Sequence, residues 1–104
     1  MAERVVERTL SDGGLSIHYR LERLGGDLLL TVTGGAAHVG CVVLATHRQS
    51  LTGSGADSAD SSVLNRSGHK DEFLLRALAE RLSAVAGCAV AAVGGVHYDG
   101  LDQQ

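Results

Sequence analysis

The spacing of apolar residues changes along this chain, and the changes mark out its elements. Residues 4–10 read as a first strand, ended by the turn signal Ser11-Asp12-Gly13-Gly14. In residues 15–23, Leu15, Ile17, Tyr19 and Leu21 alternate with Ser16, His18, Arg20 and Glu22. That is the pattern of a half-buried strand in an antiparallel sheet. Gly25-Gly26-Asp27 makes the next turn, 28–33 a third strand, 34–40 a glycine-rich connection and 41–46 a fourth strand. Their short spacing predicts an antiparallel meander of strands two to four. Residues 47–60 are rich in Gly, Ser and Asp and read as a long loop.

The second half changes period. Residues 62–66 read as a short strand that Gly68 stops. A helix is expected over about 69–86, with Leu74, Leu78, Leu82 and Val85 on one face. Glu72, Arg76 and Glu80 fall on the other face as i,i+4 neighbours of opposite charge. Gly87 suits the position after the last helical residue, and 88–94 is a final apolar strand. The expectation is an α+β fold: a mostly antiparallel sheet, one long C-terminal helix packed on one face, and a strand–helix–strand unit. Residues 1–104 read as one domain. Truncating Leu78 is expected to cost about 2–5 kcal/mol if it is fully buried.

A strand–helix–strand crossover is right-handed almost without exception, so 62–66 and 88–94 are expected to run parallel in one sheet. Ligands of such units gather beyond the carboxyl ends of the strands. Those ends carry Gly68-His69-Lys70-Asp71 and Gly95-Val96-His97-Tyr98-Asp99. Two histidines and two aspartates, distant in sequence, are thereby expected on one rim.

Composition narrows the function classes. Residues 1–52 hold five basic and five acidic side chains, and 53–104 hold four and seven, so no basic patch recommends nucleic acid. No run approaches about 18 apolar residues, so no membrane span is expected, and no signal-peptide core is visible near the start. A cytoplasmic location is the expectation. Cys41 and Cys88 each sit in an apolar run and read as small buried hydrophobes. Aromatics are only 3%, so a flat ligand must be held by aliphatic walls and polar groups. The runs 28–30, 41–45 and 88–93 look buried on both faces, although one helix covers only one face. A homodimer is the simplest cover.

The chemistry-bearing residues lie at the expected rim. A helix start at Gly68-His69-Lys70 offers backbone N–H groups and a positive dipole end to an anion. Asp71 and Glu72 stabilise the same helix end without any ligand. His69 has no such structural reason. In an extended segment His97 and Asp99 share a face, and the carboxylate can fix the imidazole tautomer. With His69 and His38, these residues suit a divalent metal or a phosphate equally. His38 lies among small residues, which let a ligand approach the backbone. There is no His-Glu-x-x-His, no Cys-x-x-Cys, no P-loop and no Gly-x-Ser-x-Gly.

The order Ser-Val-Leu, Gly-His-Lys-Asp, helix, Val-Gly-Gly-Val-His-Tyr-Asp resembles the LpdD-like proteins that accompany UbiD-type decarboxylases. The resemblance runs from about Gly26 onward. It implies a chaperone that holds prenylated FMN and supplies it to an apo-decarboxylase. It also implies that the glycine-flanked histidines correspond to His38, His69 and His97, with Lys70, Asp71 and Asp99 beside them. The family's Gly-His-Lys/Arg turn follows a proline, where this chain has Ser67. On this reading His38, Gly68, His69, Lys70, Asp71, Gly95, His97 and Asp99 bind prenylated FMN or FMN. His38, His69 and His97 hold a divalent metal if one is present. Two readings compete: a small metal-dependent enzyme using His69 and His97 as acid and base, and a structural subunit of a decarboxylase complex. No persuasive catalytic constellation is present, which favours a carrier over an enzyme.

Overall fold

A computed structural model describes residues 5–49, 57–66 and 72–97. Six strands form one mixed sheet: β1 (Val5–Asp12), β2 (Leu15–Leu24), β3 (Asp27–Gly35), β4 (Cys41–Gln49), β5 (Asp57–Asn65) and β6 (Val90–His97). A single 15-residue helix, α1 (Glu72–Ala86), lies between β5 and β6 in the chain. The helix is therefore mid-chain and not C-terminal, and its expected first turn, 69–71, lies outside the described residues. The strand order across the sheet is β1-β2-β3-β6-β4-β5. The β3–β6 pairing is parallel, and the other four are antiparallel.

Two expectations about topology are corrected. Strands two to four do not form a meander: β1-β2-β3 does, but β6 is inserted between β3 and β4. The strand–helix–strand unit also skips a place. β5 and β6 run in the same direction, as expected, yet β4 separates them, and the parallel neighbour of β6 is β3. The expected long loop is shorter as well. His47, Arg48 and Gln49 continue β4, and β5 begins at Asp57, with the pair clasped by Arg48 Nε donating to Asp60 Oδ1 at 2.8 Å. The polar residues that read as a loop belong in part to an edge strand, where charge and hydroxyls discourage further pairing.

The core lies between the sheet and α1. Leu30, Val32, Cys41, Val43, Ala45, Val90 and Ala92 point from the central strands toward Leu75 and Ala79 of the helix. The phase of the helix differs from the expectation. Leu75, Ala79 and Ser83 are fully buried, Leu74, Leu78 and Leu82 are half-buried beside them, and Val85 is 71% exposed. Ala79 and Ser83 carry the small side chains that let a helix lie close on a sheet. The hydroxyl of Ser83 donates to the Cys88 carbonyl at 2.6 Å, so its burial leaves no polar atom unpaired. The charged flank behaves as expected, with Arg76 between Glu72 and Glu80 at 3.5 and 3.4 Å. Gly87 ends the helix at φ 69°, a conformation that suits glycine.

Gly94 fixes the centre of the sheet. Its φ is 145°, and a Cβ there would stand 1.8 Å from the Val32 carbonyl oxygen. Only a residue without a side chain lets β3 and β6 close at this register. Both cysteines are free thiols: Cys41 is buried, as expected, while Cys88 is only half-buried.

Candidate functional site

The sheet directions bring five elements to one rim. β3, β5 and β6 end there, β4 begins there, and α1 starts just beyond the end of β5. The connection between β3 and β4, residues 36–40, arches over the rim and is pinned by backbone bonds. Ala36 N donates to His97 O at 2.9 Å, Gly40 N to Gly94 O at 2.8 Å, and Arg66 N to Gly40 O at 2.9 Å. A second bond from Arg66, Nη1 to the Val39 carbonyl at 3.2 Å, holds the same arch from the side of β5. Asn65 Nδ2 donates to Glu72 Oε1 at 2.6 Å and ties the end of β5 to the first turn of α1.

His38 and His97 meet on this rim. Their ring centroids are 6.4 Å apart and their planes 84° apart. His38 Nδ1 lies 2.9 Å from the Ala36 carbonyl oxygen. A carbonyl only accepts, so Nδ1 carries the proton and Nε2 holds the lone pair of the neutral ring. This arrangement fixes a histidine's tautomer and orientation in metal and phosphate sites alike. A hollow of about 230 Å³ is lined by Ala36, Ala37, His38, Arg66 and His97. Ligand pockets for molecules of drug size measure about 300–1,000 Å³. The described hollow therefore matches one end of a flavin-sized ligand, such as a phosphate or a ring edge.

The sequence-derived site is joined in part. His38 and His97, far apart in the chain, are brought together. Gly95 is buried within β6 opposite Thr33, two residues before His97. Gly68, His69, Lys70, Asp71 and Asp99 lie outside the described residues, so the expected convergence of His69 with His97 does too. The end of β5 that leads to His69 is on the same rim, but β4 lies between it and β6, so the two strand ends are not neighbours as expected. Among the described residues no group of three or more His, Cys, Asp or Glu side chains forms a metal cluster.

Arg66 was missed by the sequence reading. It immediately follows the β5 apolar stretch, and its guanidinium places a permanent positive charge on the rim beside two imidazoles. A basic residue at the carboxyl end of a strand, just before a Gly-His-Lys turn, was the signal that pointed to it. His18 lies on the polar face of β2, in register with Thr33 of β3. It is held at 2.9 Å by both Glu7 and Thr9 across the β1–β2 pair.

A cationic rim with two oriented imidazoles is suited to a phosphorylated ligand, and the model of the prenylated flavin chaperone LpdD-like domain matches residues 11–104. The chain belongs to the LpdD-like prenylated flavin chaperone family. The match includes β2 to β6, α1 and every rim residue described above. No curated protein matches the chain. Among the described residues no helix is long and apolar enough to cross a membrane.

Proposed function

We infer that this LpdD-like chain binds prenylated FMN at the rim formed by His38, His97 and Arg66 and passes it to a UbiD-type decarboxylase. The observation that carries this reading is the His38–His97 pair beside Arg66, within a family defined by prenylated-flavin chaperoning. Arg66 suits the flavin phosphate, since guanidinium–phosphate bonds are charge-assisted and directional. The His38 Nε2 lone pair suits a cation beside the phosphate, and in the protonated ring the same nitrogen donates to a phosphate oxygen, with the His97 ring alongside. If a divalent metal is part of the complex, His38 and His97 supply two donors, and His69 and Asp99 are the proposed others. Gly68, Lys70 and Asp71 are proposed to complete the anion site at the helix start, with Gly95 giving close backbone approach. When bound, the flavin brings the chemistry that the client enzyme uses. The chain's own part is to bind and orient it.

The carrier reading includes a homodimer. The sheet face opposite α1 carries Leu44 at 49% exposure and Leu64 at 75%, beside half-buried Leu29, Val42 and Val93. A second copy packed on this strip would remove it from water. Sedimentation is expected to show a dimer at tens of micromolar, an order of concentration at which specific dimers persist. A monomer there would contradict it. For the function itself, the chain is co-produced with a flavin prenyltransferase, purified, and mixed with an apo-decarboxylase. The expected result is a co-purifying flavin absorbance that moves to the decarboxylase and activates it. A colourless protein, or a chain that turns over the carboxylic acid alone, would contradict the reading.

A further inference from the structure

Among the described residues, the single helix leaves the β1–β2 side of its sheet face uncovered, and that side has the character of a binding surface. Six strands at about 4.8 Å spacing set the outer strands about 24 Å apart. A helix with its side chains covers about 10 Å. α1 packs on β4, β5 and β6. Leu30 and Val32 of β3 are buried beside the helix, so the uncovered strip on this face runs over β1 and β2 and is about one helix wide.

That strip is a groove of about 350 Å³, with Val6, Leu10, Tyr19 and Leu21 on its floor and Leu78 and Leu82 as its wall. Leu10 is 62% exposed, and Val85, one turn beyond Leu82, is 71% exposed. The strongest apolar stripe of α1 thus faces the groove and not the centre of the core. Its edges are basic. Arg8 lines the groove and Arg81 stands on α1 between Leu78 and Val85, while Arg23, at the end of β2 on the same sheet face, lines a neighbouring hollow with Asp27. Among the described residues the acids near this half of the face are Asp12, at the β1–β2 hairpin, and Asp27, beside Arg23. Arg8 in the lining and Arg81 beside it, with no carboxylate among the groove's described lining residues, are a local reversal of sign in a chain of net charge −3.

We propose that the groove over β1 and β2 docks an amphipathic helix of another protein, one that carries carboxylates beside a leucine-type stripe. A second copy of α1 fits poorly. Its acids Glu72 and Glu80 are turned to the opposite flank, toward Arg76 and Ser61, and its groove-side flank carries Arg81. Two such flanks together would set arginine against arginine. The proposal does not depend on what the histidine rim holds.

The test uses the full chain and a fluorescent synthetic peptide of about 18 residues, five helical turns. The peptide has leucines at i, i+3, i+4 and i+7 and glutamates on both flanks. A second peptide has lysines in place of the glutamates. Saturable binding of the acidic peptide is expected, with amide shifts at Tyr19, Leu21 and Leu78 in the labelled protein. The lysine peptide should bind at least about tenfold more weakly, and the Arg8→Glu, Arg81→Glu variant should reverse that preference, as charge-directed recognition requires. Circular dichroism checks that this surface variant is folded. Equal binding of both peptides, no binding of either, or shifts confined to other surfaces would overturn the proposal. So would self-association of the chain that is abolished by Leu10→Asp with Val85→Asp, which would assign the groove to a second copy.

Discussion

Replacing Gly94 by alanine tests the register on which both the core and the rim depend. The new Cβ would lie 1.8 Å from the Val32 oxygen, 2.8 Å from its carbonyl carbon and 3.0 Å from its nitrogen. All three are backbone atoms, so no side chain can swing away. At φ 145° the L-residue itself adds about 1–3 kcal/mol of backbone strain. Forcing β3 and β6 apart adds an overpacking cost of about 1–3 kcal/mol. The sum, about 2–6 kcal/mol, is a large share of the roughly 5–15 kcal/mol that holds a domain folded. Urea unfolding followed by circular dichroism measures it. Gly26→Ala is the control, because a Cβ there meets nothing within 4 Å and its φ is not in the left-handed range; its change should stay within about 0.5 kcal/mol. The Gly94 carbonyl also holds Gly40 N, so the folded fraction of Gly94→Ala should show a displaced His38 arch and weaker flavin binding. A Gly94→Ala loss below about 0.5 kcal/mol, equal to that of the control, would refute the reasoning.

Three further outcomes follow from the packing and the rim. Leu75→Ala should cost about 2–5 kcal/mol in urea unfolding, while Val85→Ala should stay within about 0.5 kcal/mol; the reverse order would restore the helix phase expected from the sequence. Ser83→Ala leaves the part-buried Cys88 carbonyl without its 2.6 Å donor and should cost about 1–3 kcal/mol by the same measurement. Arg66→Ala should weaken FMN binding by roughly tenfold or more, the loss of a charge-assisted bond of about 1.5–3 kcal/mol, yet leave riboflavin binding unchanged. Equal losses for both ligands, read by flavin fluorescence, would show that Arg66 does not meet the phosphate.

The fold was legible where one element sees one dry and one wet side. β2 alternates in sequence, with Ile17, Tyr19 and Leu21 packed beside the core on the α1 face, and residues 15–23 were readable for that reason although every residue from Ser16 to Glu22 is half-buried. The helix was readable in extent but not in phase. Leu74, Leu78, Leu82 and Val85 form the most apolar stripe, yet Ala79 and Ser83 face the sheet because small side chains allow the closest approach. Periodicity counts hydrophobicity and does not register this. The insertion of β6 between β3 and β4 was not legible either, since sequence proximity favours β3 beside β4. The close approach at Gly94 is its local trace. At the site, His38 and His97 stood out as histidines beside glycines near strand ends. Their 6.4 Å separation came only from the parallel β3–β6 register, which pairs Gly35 with His97. Arg66 escaped notice because a lone arginine after a strand is ordinary until the rim around it is known.

The most direct test of the central claim is equilibrium titration of prenylated FMN into the chain and into the His38→Ala, His97→Ala double variant, read by absorbance. Both residues lie at a surface rim, so the double variant should unfold within about 0.5 kcal/mol of the parent. The account predicts saturable, stoichiometric binding by the parent and a loss of at least about a hundredfold in the double variant, about 2.7 kcal/mol for two removed contacts. Undiminished binding by a correctly folded double variant would contradict it.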